Sequence, residues 1–254
     1  MRRLWLRWGL LIVFVTVLGT AFVNLGEWQL DRLQQRQIRN ADTVRNEASP
    51  VRPLAEVFTR PLTDANQWQR VEARGTFDAE HQYLLRYRKN NGSDGYEVVT
   101  PLRTPQGNVL VDRGFISVPR GVQIPTVAPP PPAGEVTVVG HARRNERGGR
   151  AALTPVNFVM RQISSDAIAP TLPYPVLNGY LGLLSVTPAQ QGGFTPVELP
   201  EISDGPHFWY AVQWFMFTGI GVLGIIVFIR GDLRARKAER EKDTAAERSP
   251  IGAA

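Results

Sequence analysis

Hydrophobic and polar positions follow two different patterns along the chain. Residues 8–25 (WGLLIVFVTVLGTAFVNL) form eighteen consecutive positions without a charge, and residues 208–229 form a second uncharged run of twenty-two. At 1.5 Å of rise per residue these predict helices of roughly 27 and 33 Å, about the thickness of a bilayer's hydrocarbon core. Between them the pattern changes to short alternating segments. Residues 71–77, 82–88, 96–103, 109–118, 136–142 and 180–186 are rich in Val, Tyr, Phe and Leu and predict strands. Asn91-Gly92 and Pro105-Gln106-Gly107-Asn108 supply turn signals between them. Pro129-Pro130-Pro131-Pro132 predicts a stiff extended connector on the surface, and residues 158–169 predict a short helix. After the first apolar run, Trp28, Leu33 and Ile38 recur among charges and glutamines, so that helix is expected to emerge from the membrane and continue until the prolines beyond Val51 break it.

The pattern predicts a membrane α+β protein, in which two transmembrane helices flank a mainly β extracytoplasmic domain with short helices. The expected segments are a basic leader (1–7), a first span (8–26), the β-rich domain (27–207), a second span (208–229) and a charged tail (230–254), disordered beyond Lys242. A cleavable signal peptide is the competing reading of the first run, since Arg2, Arg3 and Arg7 precede it. No small-x-small cleavage site follows before Gly26-Glu27-Trp28, which favours a retained anchor.

Charge sets the expected orientation, because Lys and Arg are held on the cytoplasmic side of spanning helices. Arginines precede the first run, and Arg230, Arg234, Arg236, Lys237 and Arg240 follow the second. Glu198, Glu201 and Asp204 stand just before the second run, and no Lys or Arg lies between Arg161 and Arg230. Both termini are therefore expected in the cytoplasm. Of the net charge of +6, the leader supplies +3 and the tail +2, so the middle domain is near neutral and carries no nucleic-acid footprint. Cysteine is absent, which excludes disulfides, a thiol nucleophile and cysteine metal sites.

Enzyme motifs are missing: the chain has no G-x-S-x-G, no H-E-x-x-H and no glycine-rich phosphate loop. His81 and His141 are isolated and are expected to end strands on the surface. His207 differs, because it opens the second run and shares a helix face with Tyr210 and Trp214 at i+3 and i+7, with Gln213 near the edge. An aromatic belt would explain the rings alone. Gln213 inside the run, however, needs a partner or a polar cavity. On the first helix Thr16, Thr20 and Asn24 recur every four residues, with Gly9 on the same face. They form either a wall for close packing or a row of hydroxyls bonded to their own helix. Trp28, Gln29 and Arg32 fall at the level of His207, Tyr210 and Gln213.

Leu25-Gly26-Glu27-Trp28-Gln29-Leu30-Asp31-Arg32-Leu33 resembles the LGxWQxxR-type signature of the Surfeit locus protein 1 family. Gly95-Tyr96-Glu97-Val98-Val99-Thr100-Pro101-Leu102, Val111-Asp112-Arg113-Gly114-Phe115 and Tyr210-Ala211-Val212-Gln213-Trp214-Phe215 resemble its other motifs, in the same order. The family's usual Arg-Gly-Trp is Arg113-Gly114-Phe115 in this chain, and the proline usual soon afterwards is displaced to Pro119. The resemblance implies a cytochrome c oxidase assembly factor that assists insertion or stabilisation of haem a in oxidase subunit I, alongside other oxidase assembly factors and membrane lipid. It further implies His207 as an axial ligand to haem iron, with Tyr210, Gln213, Trp214, Trp28 and Arg32 around the macrocycle and Arg32 or Arg113 pairing with propionates. A scaffold that grips the oxidase subunit without haem is the alternative, and an envelope sensor signalling through the basic tail a third.

Overall fold

A computed structural model describes residues 2–119 and 121–248. The chain divides into a helical unit, formed by its two ends up to Ile38 and from Ser203, and a β unit from Arg39 to Ile202.

The helical unit contains most of α1 (Arg2–Glu47) and all of α5 (His207–Arg248). Each contains a window with mean hydropathy 2.1, long and apolar enough to cross a membrane. The two helices run antiparallel along a seam. Trp8 Nε1 donates to Asp232 Oδ2 at 2.9 Å. Further along, Phe22 packs on Trp214 and Phe217 with ring centroids 5.4 and 5.8 Å apart. A Cβ on Gly26 would stand 2.7 Å from the Phe215 ring, so only glycine admits that ring. At the other end Gln37 Nε2 donates to Asp204 Oδ2 at 3.1 Å. The less exposed positions of α1 (15, 19, 22, 26, 29, 33, 36) are spaced alternately by four and three residues, and those of α5 (207, 211, 214, 218, 221, 225) likewise. This is the spacing that keeps one stripe of a helix against a partner.

Thr16, Thr20 and Asn24 lie off this seam and are exposed. Thr20 Oγ1 donates to Thr16 O at 2.9 Å and Asn24 Nδ2 to Thr20 O at 2.7 Å. Their polar groups are satisfied within α1, and the packing wall is formed by Val15, Gly19, Phe22 and Gly26 instead. Helix α5 also continues through the expected disordered tail to Arg248, since residues 232–248 contain neither Gly nor Pro and include the i,i+4 pair Lys237–Glu241 at 3.9 Å. Residues 249–254 of that tail lie outside the described residues.

The β unit is built on strands β2 (Arg70–Phe77), β3 (Tyr83–Asn90), β4 (Ser93–Arg103), β5 (Asn108–Ser117), β6 (Glu135–Arg143) and β8 (Val176–Thr187), matching the six predicted strands. Two-residue strands β1 (Arg52–Pro53) and β7 (Val159–Met160) lie at the ends of the order β1-β2-β6-β8-β5-β4-β3-β7. A further pairing of β2 with β4, Thr76 to Arg103 and Phe77 to Leu102, closes β2-β6-β8-β5-β4 into a small barrel. Along β2 burial alternates, so Val71, Ala73 and Phe77 join Leu102, Val109, Val111, Val136, Val138 and Leu181 in one core. A second core gathers Tyr83, Leu85, Val99, Leu110, Met160, Ile163, Ile168 and Tyr180.

The helix expected over residues 158–169 does not form as one element. Asn157 and Phe158 adopt φ of 49° and 61°, β7 pairs with Leu84 and Leu85 of β3, and Ser164 caps only the single turn of α4 (Ser165–Ile168). Burying Met160 and completing the edge of β3 outweighs the helical periodicity of the segment. The remaining short helices are α2 (Leu54–Val57), which buries Leu54 and Val57, and α3 (Arg150–Leu153).

Candidate functional site

His207 is the first residue of α5 and lies on the seam. Its Nδ1 is 2.8 Å from Gln29 Oε1, so in the neutral ring a bond donated to this amide oxygen carries the proton on Nδ1. Nε2 is left with its lone pair, and among the described residues it has no partner. Two turns further along α5, Trp214 stands against Phe22 and Phe217, with centroids 5.4 and 6.0 Å away. Ala211, fully buried, fills the position between them.

The other predicted residues are distributed unequally around this point. Of the three α1 residues expected opposite His207, Gln29 makes the contact. Trp28 is 48% exposed and has Arg32 over its ring at 5.4 Å, so these two form a pair of their own on the adjoining face. Arg32 Nη1 also donates to Gln35 Oε1 at 3.1 Å. Tyr210 is 46% exposed and off the seam. Gln213 is half-buried, and among the described residues it has no hydrogen-bond partner. The structure therefore joins His207 to Gln29 and Trp214 to an aromatic cluster, and it does not bring Trp28 or Arg32 to His207. Phe22 and Phe217 were not anticipated as parts of this cluster; the four-three spacing of α1 is the signal that would have found Phe22.

Among the described residues no three His, Cys, Asp or Glu side chains gather as a metal site. One axial ligand, by contrast, requires only one imidazole of fixed tautomer. The bond to Gln29 fixes it in the way that partners of metal-bound histidines commonly do, and the neighbouring rings give an apolar surface. An imidazole beside apolar rings is a donor set of the kind that suits a haem iron.

The β unit holds polar groups of a different kind. Arg113 is the largest fully buried side chain among the described residues, 1% exposed. Its Nη1 donates to Gln82 Oε1 and Pro129 O, both at 2.8 Å, its Nη2 to Pro130 O at 3.0 Å and its Nε to Gln190 Oε1 at 3.1 Å. Phe194 lies under the guanidinium at 4.6 Å. Arg113 thus fastens the proline connector and the segment after β8, and it is enclosed, so it is not available to pair with propionates. The connector runs at the surface as expected, with Pro130 exposed, and Arg113 holds it there through the carbonyls of Pro129 and Pro130.

His141 also departs from expectation. It lies within β6, 5% exposed, edge-on to Trp68 at 5.7 Å, and burial holds its pKa below the ordinary histidine value. Trp68, whose backbone N–H donates to Ala142 O at 2.7 Å, covers the ring at a position that the sequence suggested would be wet. His81 is half-buried just before β3, with Nδ1 2.8 Å from Asp78 Oδ2, which also accepts from the Tyr174 hydroxyl.

Arg88 bridges Glu97 and Glu146, each at 2.6 Å. Asp112 sits nearby without a basic partner in hydrogen-bond contact, accepting from Gly114 N at 3.1 Å. Burial, followed by the charge of Glu97, raises its pKa well above the ordinary carboxylate value. A carboxyl whose folded pKa is raised loses stability as pH climbs above its unfolded pKa. Asp112→Asn keeps the acceptor for Gly114 and cannot ionise. It is expected to raise the melting temperature at pH 7 by about 2–4 °C, the shift that roughly 1 kcal/mol gives in a domain of this size. The gain should shrink as pH falls toward 4, which a thermal melt at several pH values will measure.

Comparison with known proteins gives one family. The family model described as the SURF1 family matches residues 16–219. Uncharacterized SURF1-like proteins of Mycobacterium bovis and Mycobacterium tuberculosis are 28% identical over 242 residues, covering 93% of this chain and 87% of theirs. A SURF1-like protein of Rickettsia felis is 34% identical over 110 residues, 42% of this chain and 46% of that protein.

Proposed function

The chain belongs to the SURF1 family, known generally as a family of oxidase assembly factors, and from that premise we propose that it assists haem a insertion or stabilisation in subunit I of cytochrome c oxidase by binding haem a near the outer membrane surface. It works as a carrier or scaffold and makes no covalent bond. Both helices cross the cell membrane, with the termini in the cytoplasm and residues 27–207 outside. This topology is supported by the arginines beyond each run and by the large apolar side chains, among them Phe14, Val17, Ile220 and Val227, that the helix pair leaves facing outward.

The observation that carries the proposal is the hydrogen bond from His207 Nδ1 to Gln29 Oε1. It ties the outer ends of the two helices together and leaves Nε2 as the ligating atom. Haem a would supply an iron that a neutral imidazole such as that of His207 can ligate. The chain's own residues then have separate tasks. Gln29 holds the ring of His207, Trp214 with Phe22 offers an apolar aromatic surface, and Tyr210 and Gln213 flank the seam of α5 one and two turns beyond His207. Arg32, exposed beside Trp28, is the cation suited to propionates.

The test is the ratio of haem a to oxidase subunit I in membranes of a deletion strain. It is expected to fall on deletion, to recover fully with the wild-type chain and not to recover with His207→Ala. Recovery with His207→Ala would leave the scaffold reading in its place.

A further inference from the structure

We infer that the helix pair also binds one anionic phospholipid, an acyl chain lying in a groove at the end of the pair opposite His207 and the headgroup phosphate meeting Arg7. The inference rests on the reading of both helices as membrane-spanning. The groove is a cavity of about 630 Å³ lined by Leu10, Leu11, Phe14, Gly224 and Phe228, with Arg7 as the single ionisable group of its wall. Arg7 lies over the Phe228 ring at 5.8 Å and, among the described residues, meets no carboxylate. Asp232, the first acid beyond the groove on α5, is engaged by the indole of Trp8.

The dimensions select the occupant. Lining residues run from 7 to 15 on α1, about 12 Å of helix, less than half of a hydrocarbon core of roughly 30 Å. A third membrane-spanning helix needs a complementary face through the whole depth. A single acyl chain needs one leaflet and a polar anchor at its end, and the groove offers both. Arg7 supplies a planar guanidinium suited to phosphate oxygens. Glycine makes the space: a Cβ at Gly224 would meet nothing within 4 Å, whereas one at Gly221 would stand 3.2 Å from Val15 Cγ1. Gly221 serves the helix contact and Gly224 opens onto the groove.

The full chain, purified in a mild detergent, is offered phosphatidylglycerol and phosphatidylcholine with identical acyl chains, and retained lipid is counted by native mass spectrometry. The wild type is expected to retain phosphatidylglycerol about fivefold over phosphatidylcholine, the preference that one basic side chain at a membrane surface supplies. Arg7→Gln should equalise the two lipids, and Gly224→Leu should remove both by filling the groove. Gly9→Leu, at a position with equally open space but outside the groove, should leave retention unchanged. Inorganic phosphate should not compete, because the chain in the groove contributes to binding. Equal retention of the two lipids by the wild type, or full retention by Gly224→Leu, overturns the inference, as does a polypeptide found in the groove in place of lipid. Alkaline extraction of membranes separates the two readings. A chain released into the supernatant defeats the membrane-spanning assignment, and a chain that stays but binds lipid without preference defeats only the anionic site.

Discussion

Arg113→Met is expected to destabilise the β unit by about 4 kcal/mol and to lower its melting temperature by roughly 10 °C. The side chain is enclosed and its guanidinium is the donor for Gln82 Oε1, Pro129 O, Pro130 O and Gln190 Oε1. Methionine matches part of its length and none of its donors. Each acceptor left buried without a donor costs roughly 1–3 kcal/mol. The loss is offset in part because a buried charge is no longer carried, a cost visible in the Arg113 pKa, pushed down to about 10 by burial. Arg113→Lys should recover only part of the stability, since an ammonium cannot reach acceptors spread over a fork. Near-ultraviolet circular dichroism of the full chain on heating gives the shift. Limited proteolysis adds a local readout, because residues 119–134 and 188–202 should become cleavable once the fastening is gone. An unchanged melt, with both segments still protected, would mean that the connector is held by something other than Arg113.

The two helices were legible in the sequence because an uncharged run of about twenty residues has few other ways to satisfy its backbone and side chains. The six strands were legible from short Val-, Tyr-, Phe- and Leu-rich segments set between turn signals. Burial alternates along β2, whereas residues 95–102 of β4 and 109–115 of β5 are buried without interruption. What periodicity did not reveal are facts of long range. Closure of the barrel depends on β2 meeting β4, which no local pattern encodes. Arg113 reads as an exposed cation, and the partners that enclose it are between 16 and 77 positions away. His141 is buried because Trp68, 73 positions earlier in the chain, covers its ring. At the helix pair the histidine was found from its rarity in an apolar run. Its partner Gln29 was one of three candidates at the same level, and only the seam decides among Trp28, Gln29 and Arg32. For Thr16, Thr20 and Asn24 a spacing of four fits a packing wall and bonding to their own helix equally, and the hydrogen bonds from Thr20 to Thr16 O and from Asn24 to Thr20 O decide for the second reading.

His207→Ala is expected to abolish haem retention, the largest effect of any single change at the helix pair. Alanine removes the imidazole and with it the Nε2 lone pair, while leaving the seam contacts of Phe22, Trp214 and Phe217 in place. Gln29→Leu keeps the imidazole but frees its orientation, so retention should fall by about 10- to 100-fold in affinity rather than disappear. Gly26→Ala would disturb the same site by another route, because its Cβ would press on the Phe215 ring and part the helices. The order expected is therefore wild type, then Gln29→Leu, then His207→Ala.

The most direct measurement is the pyridine haemochrome spectrum of the full chain purified from cells that make haem a. A haem a spectrum from the wild type, reduced in Gln29→Leu and absent from His207→Ala, is the predicted result. A spectrum of equal intensity from wild type and His207→Ala, or no haem from the wild type, would contradict haem binding at His207.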